Sequence, residues 1–283
     1  MKLAHLILAH KNPAQLQRLI DRLDHPDVAF FIHLDRKIDA SPFSHLFQRP
    51  NVFAVKNRTK IYWAAYGTIQ GIINGWREIP EGFDYINVIS GQDFPLRSAA
   101  YIHNYISERQ GREFITCLSI DGTSSWGDVS PRVRKWHLIN YRFPGKYKVE
   151  ALMNKFFLPR KFPMPEHELV GRNNWFTLSY NAVQYLLTFI DAHPELVRYY
   201  WYCWGADEFI FSTILWNTPE FRDRIVENLL YCDWVAGEGH AKTLEENDFE
   251  TLVNSGKLFA RKFDMDKHPR IFHLLEEWSD KNP

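Results

Sequence analysis

The stretch LAHLILAHKNPAQLQRLIDRLDHPDVAFFIHL, residues 3–34, contains the strongest signals of secondary structure in this sequence. It begins with an apolar run at 3–9 and ends with another at 28–34, each of the length of a strand. Between them, Asn12 and Pro13 are a good N-cap and first helical residue, and Leu and Ile residues follow at helical spacing. Strand, helix and strand in so short a stretch predict a parallel βαβ unit with a right-handed crossover.

The same alternation continues beyond this unit. Strands are predicted at 51–55, 84–89 and 114–118, and helices at about 64–77 and after the N-cap Ser98. This part of the chain therefore predicts an α/β fold: an open, mostly parallel sheet with helices on both faces.

The second half of the chain is less regular. Residues 119–170 have weak periodicity and scattered Gly, Pro, Arg and Trp, which predicts a long irregular insertion of the kind that is often functional. Thr243 and Glu246 have the spacing of a capping box. Without an internal repeat, residues 1–283 are predicted to form a single domain. Further elements are expected after the insertion: a strand near 174–178, helices at about 182–190, up to Leu215 and at 246–255, and a strand at 258–263.

The charge balance and the cysteine pattern exclude several classes of protein. The 283 residues hold 34 Lys and Arg against 34 Asp and Glu, whereas a nucleic-acid-binding protein normally shows a basic excess. Cys117, Cys203 and Cys232 lie far apart and match no metal or redox spacing, so we expect buried thiols in a reducing compartment. No stretch reaches the roughly 18 apolar residues of a membrane span, and His5 interrupts the N-terminal apolar run, so neither a transmembrane helix nor a signal peptide is predicted.

Aromatic residues are abundant in this chain. There are 10 Trp, 13 Tyr and 21 Phe, or 16% of the sequence. Aromatic rings of this kind line clefts that bind sugars, but they also fill a large hydrophobic core. Composition alone leaves both interpretations open.

Polar residues that directly follow the predicted strands are the first candidates for a site, because ligands of open α/β sheets bind beyond the carboxyl ends of the strands. Four clusters meet this condition: His10-Lys11, His33 to Lys37, Ser90 to Pro95, and Cys117 to Asp121. The absence of GxGxxG after the first strand and of GxxxxGK(S/T) excludes a dinucleotide fingerprint and a P-loop. Each cluster also has a structural interpretation, since Asp35 could cap a turn and His10 and His33 could be satisfied strand-end histidines.

Four ordered motifs point to one family. They are IHLDRK at 32–37, YINVISGQDFPL at 85–96, DEF at 207–209 and LFARKFD at 258–264. Their order resembles that of the core-2/I-branching β-1,6-N-acetylglucosaminyltransferases and peptide O-xylosyltransferases, glycosyltransferase family 14. The resemblance runs from about residue 2 to residue 264.

This resemblance implies a GT-A-type, Rossmann-like fold and an enzyme. The reaction would be an inverting transfer of a sugar, N-acetylglucosamine or xylose, from a UDP-sugar to a glycan hydroxyl, with formation of a β-glycosidic bond. The resemblance implies no cofactor and no metal, and no Asp-x-Asp motif is recognisable in the sequence. It further implies a nucleotide-binding half at 1–118 and an acceptor-side and catalytic half at 119–283.

The family motifs also imply catalytic roles. Glu208 matches the general base, and Lys262 matches the lysine that stabilises the UDP leaving group. Asp207 is expected to cap the following helix or to support Glu208, since neighbours on a helix point about 100° apart. Because alternate residues of a strand face opposite ways, only one of Arg261 and Lys262 is expected to face the cleft.

Further residues are expected to bind the two substrates. For the acceptor, the resemblance suggests Arg134 and Trp136 in an insertion that also carries Trp126, Arg132 and Lys135, together with Trp175 after the segment Gly171-Arg172-Asn173-Asn174. The expected UDP contacts are Ile7, His10 and Asp35 near the strand ends, Lys262, and a second cation for which Lys242 and His240 are candidates.

Two alternatives remain open from the sequence. One is a metal-dependent transferase that uses Asp35 or Asp93. The other is a glycan-binding module without catalysis. Animal relatives carry an N-terminal membrane anchor and a disulfide-rich lumenal domain, so a chain that starts at its first strand with three cysteines is expected to be a bacterial, cytoplasmic member. Peripheral membrane association is left open.

Overall fold

The computed structural model describes residues 1–234 and 241–282. The strands form a seven-stranded sheet, a three-stranded sheet and a two-stranded sheet. In chain order they are β1 (Leu3–Ala9), β2 (Val28–Leu34), β3 (Val52–Ala54), β4 (Tyr85–Ser90), β5 (Asp93–Pro95), β6 (Glu113–Phe114), β7 (Cys117–Ser119), β8 (Val170–Arg172), β9 (Phe176–Ser179), β10 (Ile225–Val226), β11 (Leu230–Cys232) and β12 (Phe259–Arg261).

Helices connect and cover these sheets. Short 3-10 segments lie at Ser41–Gln48, Ala206–Glu208 and Glu246–Asp248. The α-helices are α1 (Pro13–Leu23), α2 (Gly67–Glu78), α3 (Ala99–Ser107), α4 (Pro131–Arg134), α5 (Lys146–Phe156), α6 (Tyr180–Ala192), α7 (Pro194–Trp201), α8 (Ile210–Trp216), α9 (Pro219–Arg222), α10 (Phe249–Val253) and α11 (Pro269–Lys281).

The large sheet has the order β10-β6-β9-β4-β1-β2-β3. Strand β1 pairs in parallel with both β2 and β4, while β9 is antiparallel to its two neighbours. Helix α1 begins as the sequence predicts, because the Asn12 side chain accepts a hydrogen bond of 2.9 Å from the Gln15 amide. The mostly parallel α/β fold and its first βαβ unit are therefore confirmed.

Both faces of the large sheet are covered. On one face, Trp76 of α2 packs against Phe176 of β9 and Phe211 of α8. On the other face, His5 of β1 makes an edge contact with Phe259 of the small sheet β11-β12-β5. The apolar interior is one continuous cluster of buried side chains. This core holds the carboxyl ends of β1, β2 and β4 side by side.

The segment 119–170 is more regular than the sequence predicts. Strands β7 and β8 lie at its two ends and pair with each other. Between them, the segment contains the three-turn helix α5. The prediction of a long irregular insertion is therefore wrong for the residues of α5. The usual helical pattern of buried apolar residues is missing there, because apolar residues of α5 are exposed. The capping box also differs from the predicted one, since Glu245 and Asp248 form it instead of Thr243 and Glu246.

The state of the cysteines and the character of the helices bear on two further predictions from the sequence. The three cysteines are free thiols, with Cys203 buried and Cys117 and Cys232 partly buried. In the described residues, none of the helices has the length and apolar character needed to cross a bilayer.

Candidate active site

A cavity of about 640 Å³ lies beyond the carboxyl ends of the central strands. Ala9 ends β1 and His10 follows it, Asp35 follows β2 and Ser90 ends β4, and all four residues line the cavity. This is the position that the rule for open α/β sheets predicts. The volume lies within the range of small-molecule sites.

Glu208 reaches this cavity from the 3-10 turn that precedes α8. Its carboxylate forms an ion pair of 2.9 Å with the Arg132 guanidinium, and its side chain is only 17% exposed. Burial raises the pKa of Glu208 to about 7, while Arg132 lowers it and the neighbouring Asp207 raises it. A carboxylate with such a pKa can accept a proton near neutral pH.

Two glycines allow this arrangement. Gly205 has a φ of 65°, and a Cβ atom at that position would lie 2.2 Å from the Arg132 guanidinium. A Cβ atom on Gly171 would lie 2.2 Å from the backbone oxygen of Glu208. Both positions therefore need a residue without a side chain if Glu208 and Arg132 are to keep their places.

Asp207, the neighbour of Glu208, is buried and also lines the cavity. It accepts a hydrogen bond of 2.7 Å from the Asn174 amide group. Burial raises the pKa of Asp207, and the bond from Asn174 partly offsets that effect. Asp207 and Glu208 thus have different partners, and Asp207 supports the turn instead of capping α8.

Two neighbouring cations of the LFARKFD motif also belong to this cavity. Lys262 and Arg261 both line the cavity. Burial lowers the pKa of Lys262, and the positive charges of Arg261 and Lys11 lower it further. Within residues 1–234 and 241–282 its ammonium group has no hydrogen-bond or ion-pair partner. A bound anion would relieve this repulsion.

The expectation that only one of Arg261 and Lys262 faces the cleft is wrong. Strand β12 ends at Arg261, so Lys262 lies beyond the strand and the alternation of side chains does not extend to it. The Arg261 side chain lies 3.7 Å from the Asp93 carboxylate and stacks over the Trp175 ring at 4.9 Å. Arg261 is therefore a fixed cation beside Lys262.

The structure does not bring Lys242 to the cavity. Its ammonium group forms an ion pair of 2.6 Å with Asp248, which raises the pKa of Lys242. The other candidate, His240, lies outside the described residues. Arg261 lines the cavity next to Lys262, whereas Lys242, which was expected as the second cation, does not.

Two of the three strand-end residues expected to contact a nucleotide line the cavity, and the third does not. Asp35 lines the cavity and accepts hydrogen bonds from the backbone amides of Lys37 and Ile61. His10 also lines it. Ile7 does not, because it is fully buried within β1 between the neighbouring strands. Leu8 and Ala9 reach the cavity instead.

Asp93 holds a turn together. Its two carboxylate oxygens accept hydrogen bonds of 2.8 Å from the amide and the hydroxyl of Ser90. The side chain is fully buried and is not part of the cavity lining.

Of the three residues expected to bind an acceptor, only Trp175 lines the cavity. Arg134 is exposed, because it lies two positions after Arg132 on α4 and so points about 200° away from it. Trp136 packs against Phe157 and Tyr202 outside the cavity. The insertion does contribute to the site, but through Trp126 and Arg132.

Half of the tryptophans in the chain line this one cavity. The Arg132 guanidinium lies over two of their rings, at 5.5 Å from Trp126 and 4.5 Å from Trp204. Arg172 lines the same space and, in the part of the chain that the structure describes, has no carboxylate partner. The aromatic excess thus serves both the core and the cavity. The lining tryptophans are Trp63, Trp126, Trp175, Trp204 and Trp234.

A cluster of possible metal ligands lies away from the cavity. His25, Asp27 and His103 bring one ligand atom each within 4.8 Å of one another. The two imidazole rings stack at 4.2 Å, and the His103 ring nitrogen is already bonded to the Met1 carbonyl at 2.7 Å. None of the three lines the cavity.

Comparisons with known proteins found similarity in sequence to one family and to several of its members. The family described as Core-2/I-Branching enzyme matches residues 3–253. The Beta-glucuronosyltransferase GlcAT14B of Arabidopsis thaliana is 29% identical over 94% of this chain and 64% of its own length. Xylosyltransferase 2 of Canis lupus familiaris is 21% identical over 98% of this chain and 33% of its own length. The chain thus spans between a third and two thirds of these relatives.

A comparison with solved structures found weaker similarity. The 4-diphosphocytidyl-2C-methyl-D-erythritol synthase from Anaerococcus prevotii aligns with a TM-score of 0.36 and 9% identity. The alignment covers 68% of this chain and 75% of that one, and its score supports no inference.

Proposed function

The chain belongs to the core-2/I-branching enzyme family, and from this we propose that it is a glycosyltransferase. We propose that it transfers a sugar from a UDP-sugar to a glycan hydroxyl, with inversion at the anomeric carbon and without a metal ion. One observation carries the proposal. A buried carboxylate with a pKa of about 7, Glu208, shares its cavity with the Lys262 ammonium group, which has no partner among the residues that the structure describes.

In the proposed reaction Glu208 is the general base. Its carboxylate accepts the proton of the acceptor hydroxyl as that oxygen bonds to the anomeric carbon. The bond from this carbon to the UDP oxygen breaks on the opposite face, and its electron pair leaves with UDP. Arg132 holds the base in place and keeps part of the Glu208 population ionised at neutral pH.

The leaving group gains negative charge on its β-phosphate, and fixed cations would stabilise that charge. Lys262 supports this role because it is half-buried, lines the cavity and lacks a protein partner among the described residues. Arg261 lies beside it with a side chain oriented by Asp93 and Trp175. We propose Lys262 and Arg261 as the pair that binds the diphosphate.

The acidic residues near the cavity support a reaction without a metal. The Asp35 carboxylate already accepts two backbone hydrogen bonds and an ion pair of 3.2 Å from Lys37. Asp93 is buried against Ser90 and is not part of the lining. Asp35 would have to exchange its Lys37 ion pair for the ion, and Asp93 would have to leave its buried position to reach the cavity, which argues against the metal-dependent alternative.

The donor sugar is proposed to be N-acetylglucosamine or xylose. Trp126, Trp175 and Trp204 provide apolar faces on which a sugar ring can stack. Arg172 adds a cation that a sugar carboxylate could pair with, and one relative is named a glucuronosyltransferase. UDP-glucuronate is therefore included in the test of the donor.

A donor panel tests this proposal. UDP release is measured with UDP-N-acetylglucosamine, UDP-xylose and UDP-glucuronate in the presence of a mixture of glycan acceptors. We expect one donor to release UDP well above the others, with a β-linked product by proton NMR. An α-linked product would contradict inversion, and no release or binding of any UDP-sugar would contradict the transferase itself.

The pH dependence of the reaction should report Glu208. Because the base must be ionised, kcat/KM is expected to rise with pH through an apparent pKa of about 7. The Arg132 charge lowers this pKa, so Arg132→Gln should move the rising limb to higher pH. The measurement is a pH profile of UDP release for both proteins.

Arg134→Gln is the matched control for this profile. Arg134 lies on the same helix as Arg132 but is exposed, so its loss should leave the position of the limb unchanged. Equal shifts in both variants would show that the limb does not depend on the contact between Arg132 and Glu208.

A further inference from the structure

A patch of apolar side chains lies exposed on α5 and the two residues that follow it. We call this surface the α5 patch: Val149, Leu152, Phe156, Phe157 and Leu158. These side chains are between 42% and 83% exposed. Contiguous apolar surface of this kind on a protein usually marks a site of interaction.

Helix α5 exposes an apolar face, whereas a surface helix usually buries its apolar face against the core. Val149, Leu152 and Phe156 follow at spacings of three and four, so they share one face, and that face is exposed. The opposite face carries polar residues that bind the protein. Glu150 accepts a hydrogen bond of 2.8 Å from the Leu138 amide, and Asn154 exchanges hydrogen bonds with the backbone of Trp136. The apolar face is therefore directed outward by specific contacts.

The surroundings of the α5 patch are basic, although the whole chain is neutral. Between residues 129 and 165 the only acidic residue is Glu150, and it points inward. Lys148 and Lys155 lie seven positions apart on α5, so both lie along one side of the apolar ridge, and both are exposed. Six basic residues of this stretch are exposed: Arg134, Lys135, Arg142, Lys148, Lys155 and Lys161.

We propose that the α5 patch docks the protein onto a membrane surface that carries anionic lipids. Phe156, Phe157 and Leu158 would enter the interface between headgroups and acyl chains, as apolar residues of interfacial helices do. Lys148 and Lys155 would contact lipid phosphates at the level of the headgroups. A second copy of the chain fits less well, because a symmetric contact would bring two basic surfaces together.

Vesicle flotation of the full chain tests this inference. We expect binding to vesicles that contain phosphatidylglycerol to be at least about tenfold tighter than binding to phosphatidylcholine alone, and to weaken as salt is raised. The double variant Phe156→Glu/Leu158→Glu should lose binding to both. Lys148→Glu/Lys155→Glu should lose the preference for phosphatidylglycerol.

The controls use other exposed positions and the oligomeric state. Tyr101→Glu, on the exposed surface of α3, should bind vesicles like the wild type. Thermal unfolding of each variant checks that the fold is retained. Failure of the wild type to bind anionic vesicles, or binding unchanged in the Phe156→Glu/Leu158→Glu variant, would overturn the inference. So would a dimer in light scattering that this variant dissociates, which would assign the patch to self-association. The test does not use transferase activity, so its outcome leaves the proposed function unaffected.

Discussion

Replacing Glu208 with Gln is expected to reduce kcat by about 100- to 10,000-fold, the usual contribution of a positioned general base. The amide keeps the size of the side chain but cannot accept the hydroxyl proton. UDP affinity should be nearly unchanged, because Lys262 and Arg261 remain in place. Steady-state kinetics and a UDP titration on the same protein sample measure the two effects separately.

The control for this variant is Glu166→Gln, at a side chain that is exposed outside the cavity. It should retain full activity. A Glu208→Gln protein that turns over as fast as the wild type would remove Glu208 from the base role. If neither protein turns over and both bind glycan equally, the chain is a glycan-binding module and not an enzyme.

Replacing Lys262 with Ala is expected to weaken UDP binding by about 10- to 150-fold. This range corresponds to about 1.5 to 3 kcal/mol for a hydrogen bond to a charged group. The loss should be large because Lys262 is half-buried and lacks a protein partner in the described residues, so its charge is available to the phosphate. Calorimetric titration with UDP measures it directly.

Lys242→Ala is the matched control for the loss of a lysine. Lys242 is held by Asp248 outside the cavity, so its removal should change UDP affinity by less than about twofold. An equal loss of affinity in both variants would show that the effect comes from net charge. A larger loss in Lys242→Ala would reverse the two assignments.

Much of the fold could be predicted because local signals and tertiary structure agree. Asn12 and Ser98 cap helices at the predicted places, and the strands at 3–9 and 28–34 have the predicted bounds. Helix α5 was missed because the polar Glu150 and Asn154 face inward while the apolar Val149, Leu152 and Phe156 face outward. Periodicity identifies a helix only when the apolar side faces the core.

The candidate site was predictable where it depends on short motifs and strand ends. The family match confirms the resemblance carried by the motifs, although it ends at residue 253 and so leaves out the segment with Lys262. Glu208, His10, Asp35, Lys262 and Trp175 all line the cavity.

The remaining site residues depend on contacts that sequence spacing does not encode. Arg132 could not be told from Arg134, because α4 is a single turn and too short to show which side faces inward. Arg261 and Lys262 were not expected to face the cleft together, because the end of β12 could not be placed to within one residue. Each position depends on an ion-pair partner from a distant segment, which is Glu208 for Arg132 and Asp93 for Arg261.

A calorimetric titration of the wild-type protein with UDP in EDTA, repeated with Mn²⁺, tests whether Lys262 and Arg261 bind the diphosphate without a metal. We expect saturable binding in EDTA, with the same affinity when Mn²⁺ replaces EDTA. Binding that occurs only with Mn²⁺, or no binding under either condition, would contradict this role of Lys262 and Arg261.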